Sequence, residues 1–187
     1  MRIIAGKYKN RNIVTPPGFT TRPMLSRIRK SVYGILDPYL PDAVVLDLFT
    51  GTGIEALEAL SRGAAKVIGV EADRTALEVV RQNHKTICPD ENLELLRGDV
   101  LLWIPRLAQQ GLQFDIISVT PPYGTSLGNQ TLDQIEQNPS LLREETVIFV
   151  QRDKREDIRL EREILEHVRT KEYGRTIFEF FMPYEKK

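Results

Sequence analysis

From Ala43 onward, short apolar runs alternate with stretches in which apolar residues recur every three or four positions. This alternation predicts a parallel sheet covered by helices. Val44 to Phe49 reads as the first strand and leads into Thr50-Gly51-Thr52-Gly53 and an amphipathic helix near 54–62. Lys66 to Glu71 reads as the second strand, with a helix from Arg74 to Lys85 behind it. Leu93 to Leu96 is the third, ending at Arg97-Gly98-Asp99 before a helix that carries Leu101, Leu102, Ile104 and Leu107. Phe114 to Val119 is predicted as the fourth strand and Thr146 to Val150 as the fifth. Segments 162–169 and 175–182 resemble two further strands, with a turn at Tyr173-Gly174-Arg175. Upstream, residues 26–36 suit a helix capped by Ser26, with Ile28, Val32, Ile35 and Leu36 on one face.

Composition sets the scale. A chain of 187 residues with 41% hydrophobic content can build one domain with its own core and a short appendage. No apolar run reaches the ~18 residues of a membrane span, and Met1-Arg2-Ile3-Ile4 lacks a signal-peptide pattern, so a cytoplasmic protein is expected. Cys88 is the one cysteine and forms no internal disulfide; with His84 and His167 the only histidines, no metal site of familiar spacing is expected. His84 and Cys88 read as a helix end and the loop after it.

The net charge of zero hides an asymmetry. Arg2, Lys7, Lys9, Arg11, Arg22, Arg27, Arg29 and Lys30 precede the first acid, Asp37, so residues 1–36 carry +8 and the remainder −8. This divides a basic extension, 1–36, from a main domain, 37–187. A block of one sign beside the turn-rich Thr15-Pro16-Pro17-Gly18 suits a polyanion, because cations that neutralise phosphates release counterions and give affinity without sequence. The plainer alternative is a solvated, poorly ordered terminus.

A glycine-rich turn between strand and helix lets a ligand approach the backbone, and the helix N-terminus adds a favourable dipole. Gly51-x-Gly53-x-x-Ala56 has that form but fits dinucleotides and other adenosine ligands alike. Its acidic neighbours narrow the choice. Asp47 lies at the end of the first strand, Glu71 closes the second and Asp99 follows the third, and the carboxyl ends of parallel strands line one crevice. Glu71 would accept from ribose hydroxyls, Asp99 from an adenine amine, and Asp47 would attract an ammonium group directly or through water. Adenine, ribose and an amino acid end without a pyrophosphate describe S-adenosylmethionine. Each acid also has a structural use: Asp47 can cap the following turn, and Asp99 the helix that begins at Val100.

Thr120-Pro121-Pro122-Tyr123 follows the fourth strand, beside the same crevice. Two prolines stiffen the loop and remove two donors, so the carbonyls of residues 120 and 121 stand as acceptors. They would hold an exocyclic base amine, and the Tyr123 ring offers a stacking face worth ~1–3 kcal/mol per base. The plainer alternative is a proline turn with a core tyrosine.

With these motifs in place the sequence resembles a family. Asp47-Leu48-Phe49-Thr50-Gly51-Thr52-Gly53, Glu58-Ala59-Leu60-Ser61-Arg62-Gly63-Ala64, Arg97-Gly98-Asp99 and Pro121-Pro122-Tyr123 are similar to class I S-adenosylmethionine-dependent methyltransferases. Arg2-Ile3-Ile4-Ala5-Gly6-Lys7-Tyr8-Lys9 and Thr21-Arg22-Pro23 narrow the resemblance to the RsmD-like enzymes, which methylate the exocyclic N2 of a guanine in bacterial 16S ribosomal RNA. The resemblance implies a Rossmann-like α/β fold: a seven-stranded, mostly parallel sheet with a C-terminal antiparallel hairpin, and an N-terminal basic β-hairpin and helix. It implies cofactor binding by Asp47, Gly51, Gly53, Glu71 and Asp99, and target-base handling by Thr120, Pro121, Pro122 and Tyr123. It further implies contact of Arg2, Lys7, Lys9, Arg11, Arg22 and Arg27 with 16S ribosomal RNA or the assembling small subunit, by a monomer needing no metal.

The chain departs from that family at informative places. Thr120 stands where the family carries aspartate, and related amino-methyltransferases asparagine. Met24, Ser26, Lys30 and Gly34 stand where relatives usually carry Thr, Asp, Glu and Asn, and Gln151 where they carry Glu. Threonine keeps a hydroxyl acceptor but loses the charge that favours an amine turning positive. A hydrogen bond to a charged partner is worth ~1.5–3 kcal/mol, so a slowing of roughly ten- to a hundredfold is expected. Three rivals stand beside the enzyme reading. An RNA-binding assembly factor would bind cofactor and RNA without turnover. A protein-amide methyltransferase shares the Pro-Pro-Tyr loop but has no use for eight unopposed cations, and a nicotinamide dehydrogenase has the glycine turn but no use for Pro121-Pro122-Tyr123.

Overall fold

The apolar runs become strands because a parallel sheet covered on both faces buries nearly every side chain it carries. The computed structural model describes residues 1–15 and 26–184. Arg22, the Thr21-Arg22-Pro23 motif and most of Thr15-Pro16-Pro17-Gly18 lie outside the described residues.

The elements run α1 (Ser26–Leu36), β1 (Val44–Leu48), α2 (Ile54–Ser61), β2 (Lys66–Glu71), α3 (Arg74–Ile87), β3 (Leu93–Arg97) and α4 (Val100–Gln109). They continue with β4 (Phe114–Val119), α5 (Leu127–Gln137), β5 (Leu142–Asp153), β6 (Leu165–Tyr173) and β7 (Thr176–Pro183), with single 3-10 turns at Asp37–Tyr39 and Pro139–Leu141. The seven strands form one sheet in the order β3-β2-β1-β4-β5-β7-β6. β1 to β5 are parallel, and β7 enters antiparallel against both β5 and β6. Strand order reverses between β1 and β4, which places the ligand crevice of this topology at their carboxyl ends.

Successive side chains of β1 divide between two cores. Val45 packs on one face with Val32, Tyr33, Leu57, Phe149, Phe178 and Phe180. Leu46 and Leu48 pack on the other with Ile104, Ile117, Leu132, Ile148 and Phe181. Each such side chain, fully buried, contributes about 1.5–3 kcal/mol.

The N-terminal residues join the first core. Ile3 N–H donates to Arg11 O at 3.0 Å and Asn10 N–H to Ile3 O at 2.9 Å, closing a hairpin whose Ile3 and Ile13 are buried. Glu58, fully buried on α2, accepts from Ile4 N–H at 2.8 Å and Ala5 N–H at 3.1 Å, and pairs with Arg62 at 2.7 Å and Arg29 at 3.6 Å. Gly6 has φ +78° and lies so close to Ser61 that an added Cβ would meet its carbonyl oxygen at 1.7 Å.

Three expectations shift. Ser26 is the first helical residue of α1 rather than its cap, and Ile35 is only half buried while Arg29 and Tyr33 join the buried face. The sixth strand starts at Leu165, not 162, because Arg162 ion-pairs with Asp133 at 2.5 Å and Glu136 at 3.2 Å on α5. α5 gave little sequence signal: its buried positions are Gly128, Thr131, Leu132 and Ile135, only two of them apolar and large. A Cβ at Gly128 would come within 2.7 Å of Ile158 Cδ1, a side-chain end that would have to shift.

Candidate functional site

The turn after β1 is wound left-handed at Phe49 (φ 69°), Gly51 (φ 56°) and Gly53 (φ 77°). Phe49 and Thr50 both donate N–H to Val70 O, at 3.1 and 3.0 Å, and the Thr50 hydroxyl donates to Asp47 O at 2.9 Å. The loop is therefore pinned between β1 and β2 before α2 begins. Gly53 permits this approach: a Cβ there would lie 2.6 Å from Val80 on α3.

Glu71 ends β2 and reaches the loop. Its Oε2 accepts from Gly51 N–H at 2.8 Å and its Oε1 from Asp73 N–H at 2.9 Å. Each oxygen keeps a second lone pair, which leaves the carboxylate able to accept from a vicinal diol while holding the loop. Asp99 caps α4, accepting from Leu101 N–H at 2.8 Å, and is otherwise exposed at the end of β3. Both acids thus hold the local backbone while keeping acceptor capacity at the strand ends.

Asp47 is placed differently. Its carboxylate is almost fully buried beneath the glycine loop and borders a cavity of about 10 Å³ shared with Tyr33, Glu55 and Ser118, close to the space of one water. Both Asp47 oxygens, Glu55 Oε2 and Ser118 Oγ lack a hydrogen-bond partner among the described residues. Ser118 and the Ala56 amide are near enough to favour the ionised form without reaching hydrogen-bond geometry. Burial, followed by the neighbouring Glu55, pushes the Asp47 carboxyl well above its ordinary range, and burial raises Glu55 to about 7. The lining of that cavity includes none of Gly51, Gly53, Glu71 and Asp99, so Asp47 would reach the ammonium of an adenosyl amino acid in the crevice only through water.

Thr120 joins the same crevice from β4. Val119 stands opposite Leu48 of β1, and Thr120 N–H reaches Leu48 O at 3.5 Å. Pro122 O accepts from the Thr125 hydroxyl at 2.8 Å, whereas the Thr120 and Pro121 carbonyls and the Thr120 hydroxyl have no hydrogen bond among the described residues. Tyr123 is not a core residue: 41% exposed, it turns its ring outward, and its hydroxyl accepts from Gln151 Nε2 on β5. Two side chains hold this loop that motif reading did not assign a role. Gln151 fixes the tyrosine, and Glu156 accepts from Gly124 N–H through Oε1 and from Asp153 N–H at 2.7 Å through Oε2. Glu156 sits in the charged run Arg155-Glu156-Asp157, whose pattern reads as a solvated loop. Arg152 holds the Glu156 carbonyl at 2.8 Å while paired with Glu179 at 2.7 Å.

The predicted RNA contacts do not all face the crevice. Lys7 N–H bonds Ser61 O at 2.7 Å, at the far end of α2, and Lys7 Nζ pairs with Glu91 at 2.8 Å. Lys7 and Lys9 therefore lie near the amino ends of the strands, about 12 Å, the length of α2, below the glycine loop. Arg2 and Arg11 are exposed on the hairpin strands, and Arg27 is exposed on the first turn of α1. Among the described residues no group of His, Cys, Asp and Glu could hold a metal, and no helix is long and apolar enough to cross a membrane.

Residues 1–182 match the family described as "Conserved hypothetical protein 95". The chain is 32% identical over 151 residues to the ribosomal RNA small subunit methyltransferase D of Escherichia coli K12, covering 81% of this chain and 74% of that protein. It is 30% identical over 155 residues to the Haemophilus influenzae protein of the same name, covering 82% and 79%. The solved structure of Escherichia coli yhhF superposes with a TM-score of 0.87 at 28% identity, over 100% of this chain and 99% of that one. Fold, crevice and sequence agree, and the chain belongs to the RsmD-like family of S-adenosylmethionine-dependent methyltransferases.

Proposed function

We propose that this protein methylates the exocyclic N2 of a guanine in 16S ribosomal RNA during small-subunit assembly, acting as a cytoplasmic monomer. The observation that carries the reading is the free acceptor pair at Thr120 and Pro121, joined to the outward ring of Tyr123 and hydrogen-bonded to the strand that bears the glycine loop. Residues 1–36 serve as the RNA-binding extension of the 37–187 methyltransferase domain. Arg2, Arg11, Arg22 and Arg27 supply its cations, whereas Lys7 is paired with Glu91 and lies with Lys9 near the amino ends of the strands.

S-adenosylmethionine, when bound, supplies the electrophilic methyl group. Asp47, Gly51, Gly53, Glu71 and Asp99 bind it along the crevice. The target base leaves its stack at a cost of a few kcal/mol, least for an unpaired base, and settles on Tyr123. The Thr120 hydroxyl and the Pro121 carbonyl accept from the amine and aim its nitrogen at the methyl carbon. The bound cofactor would supply the methyl group, its C–S bond exchanged for the new N–C bond, and the base nitrogen held by Thr120 and Pro121 would release its proton to water. Orientation carries most of the acceleration.

A second reading, an assembly factor that binds RNA and cofactor without turnover, is favoured by Thr120 itself, which removes a charge from the reacting nitrogen. The deciding experiment is transfer of labelled methyl groups to small subunits that lack this modification. Label on a guanine N2, abolished by Tyr123→Ala, supports the enzyme; cofactor and particle binding with no transfer supports the assembly factor and overturns the enzyme.

A further inference from the structure

We propose that the RNA strand leading away from the target base runs along a cationic rim between α1 and the edge strand β6, made by Arg27, Lys30, Arg169 and Lys171, rather than over the tip of the N-terminal hairpin. This rests on the RNA reading above.

The rim is assembled by one contact. The Tyr173 hydroxyl at the end of β6 donates to the Ser31 hydroxyl of α1, joining positions 142 residues apart. Arg27, Lys30 and Ser31 are spaced to share one side of α1. Arg169 and Lys171 alternate with Tyr173 along β6 and so share its face of the sheet, the face that α1 covers. All four cations are exposed, and none forms an ion pair among the described residues. α1 contains no acid, and Glu172, on the opposite face of β6, is paired with Lys154.

Register ties the rim to the base platform. Gln151, which holds the Tyr123 hydroxyl, stands opposite Phe178 of β7, and Phe178 stands opposite Lys171. The three residues occupy one row and one face, so Lys171 lies two strand spacings, about 10 Å, from the residue that fixes the stacking ring. By contrast Lys7 is already paired and sits at the other end of the strands. The competing use of Arg169 and Lys171 is to keep an edge strand from pairing with another sheet, which needs no RNA.

The test is binding of a fluorescein-labelled single-stranded RNA over a range of salt concentrations by the full chain, Lys30→Ala/Lys171→Ala and Lys7→Ala/Lys9→Ala, with melting temperatures to confirm folding. Each lost phosphate contact on single-stranded RNA lowers the salt slope by about 0.7. The rim variant is expected to lose about 1.4 from the slope and at least several-fold in affinity, and the hairpin-tip variant less than half of that. A rim variant that keeps the native slope while the tip variant loses its own overturns the inference, leaving edge protection, and leaves the RNA reading intact. A native chain with no salt-dependent RNA binding overturns the RNA reading itself.

Discussion

Replacing Thr120 by aspartate puts a carboxylate where the family resemblance leads one to expect it, and on the proposed mechanism it should speed the reaction. The backbone at this position is fixed by the bond from Thr120 N–H to Leu48 O, and the Thr120 hydroxyl is spent on no other partner. A carboxylate placed there would therefore be free for the target amine. A hydrogen bond to a neutral acceptor contributes about 0.5–1.5 kcal/mol and one to a charged acceptor about 1.5–3. The difference, about 1–2 kcal/mol, applies as the nitrogen turns positive, so it belongs mostly to the transition state and appears in kcat. At about 1.4 kcal/mol per factor of ten, single-turnover methyl transfer should rise roughly five- to thirtyfold, with the concentration dependence on RNA almost unchanged. Thr120→Asn, which offers an acceptor without charge, should stay within a few-fold of the native rate. Rates would be followed as labelled methyl incorporated into unmodified small subunits, with thermal melts to show that all three proteins fold. An aspartate variant no faster than native, or one altered only in apparent affinity for RNA, would refute the assignment of residue 120 to the reacting nitrogen.

Other consequences are as direct. Glu156→Ala frees Gly124 N–H and Asp153 N–H together and should lower methyl transfer about tenfold, the effect of about 1.4 kcal/mol of lost positioning, while cofactor affinity measured by calorimetry stays near native. Burial holds the Glu55 carboxyl at about 7, above its ordinary 4.5, so the folded state keeps a proton that the unfolded chain has lost between those values. Its effect is absent below pH 4.5 and grows as pH rises through 7, costing about 3 kcal/mol. Glu55→Gln should accordingly raise the urea midpoint at about pH 8 and leave it nearly unchanged at about pH 5; equal shifts at both would contradict the burial argument. Gly6→Ala puts a methyl group into the Ser61 carbonyl and should cost at least 1–3 kcal/mol, read as loss of hydrogen-exchange protection at Lys7 N–H before any global unfolding.

The sheet was legible because its strands are apolar runs with glycine or an acid at their carboxyl ends, and such runs have few other uses. Legibility failed where tertiary contacts replaced local pattern. α5 buries Gly128 and Thr131 beside two large apolar residues, Leu132 and Ile135, too few to mark a helical face in Leu127–Gln137. β6 is an edge strand alternating charge with little apolar content, and contacts distant in sequence tie the chain on either side of it, Arg162 to the acids of α5 and Tyr173 to Ser31. At the site, residue types and order pointed to Glu71, Asp99 and Tyr123. The sequence could not show that Asp47 faces a small buried cavity, or that Glu156, 32 residues past Gly124, holds the loop that carries Pro121-Pro122-Tyr123.

Charge shows the same limit most sharply, because charge counted along a chain is not charge presented on a surface. Of the eight cations before Asp37, Arg29 is buried against Glu58 and bonded to the Arg2 carbonyl, and Lys7 is paired with Glu91. What remains of the basic block is drawn apart by the fold: Lys9 goes to the amino end of the sheet, whereas Arg27 and Lys30 go to the side where β6 ends. There they meet Arg169 and Lys171, which lie in the half of the sequence that is acidic overall. The Tyr173–Ser31 contact joins those two halves, and the register Gln151 to Phe178 to Lys171 sets β6 two strands from the residue that holds Tyr123.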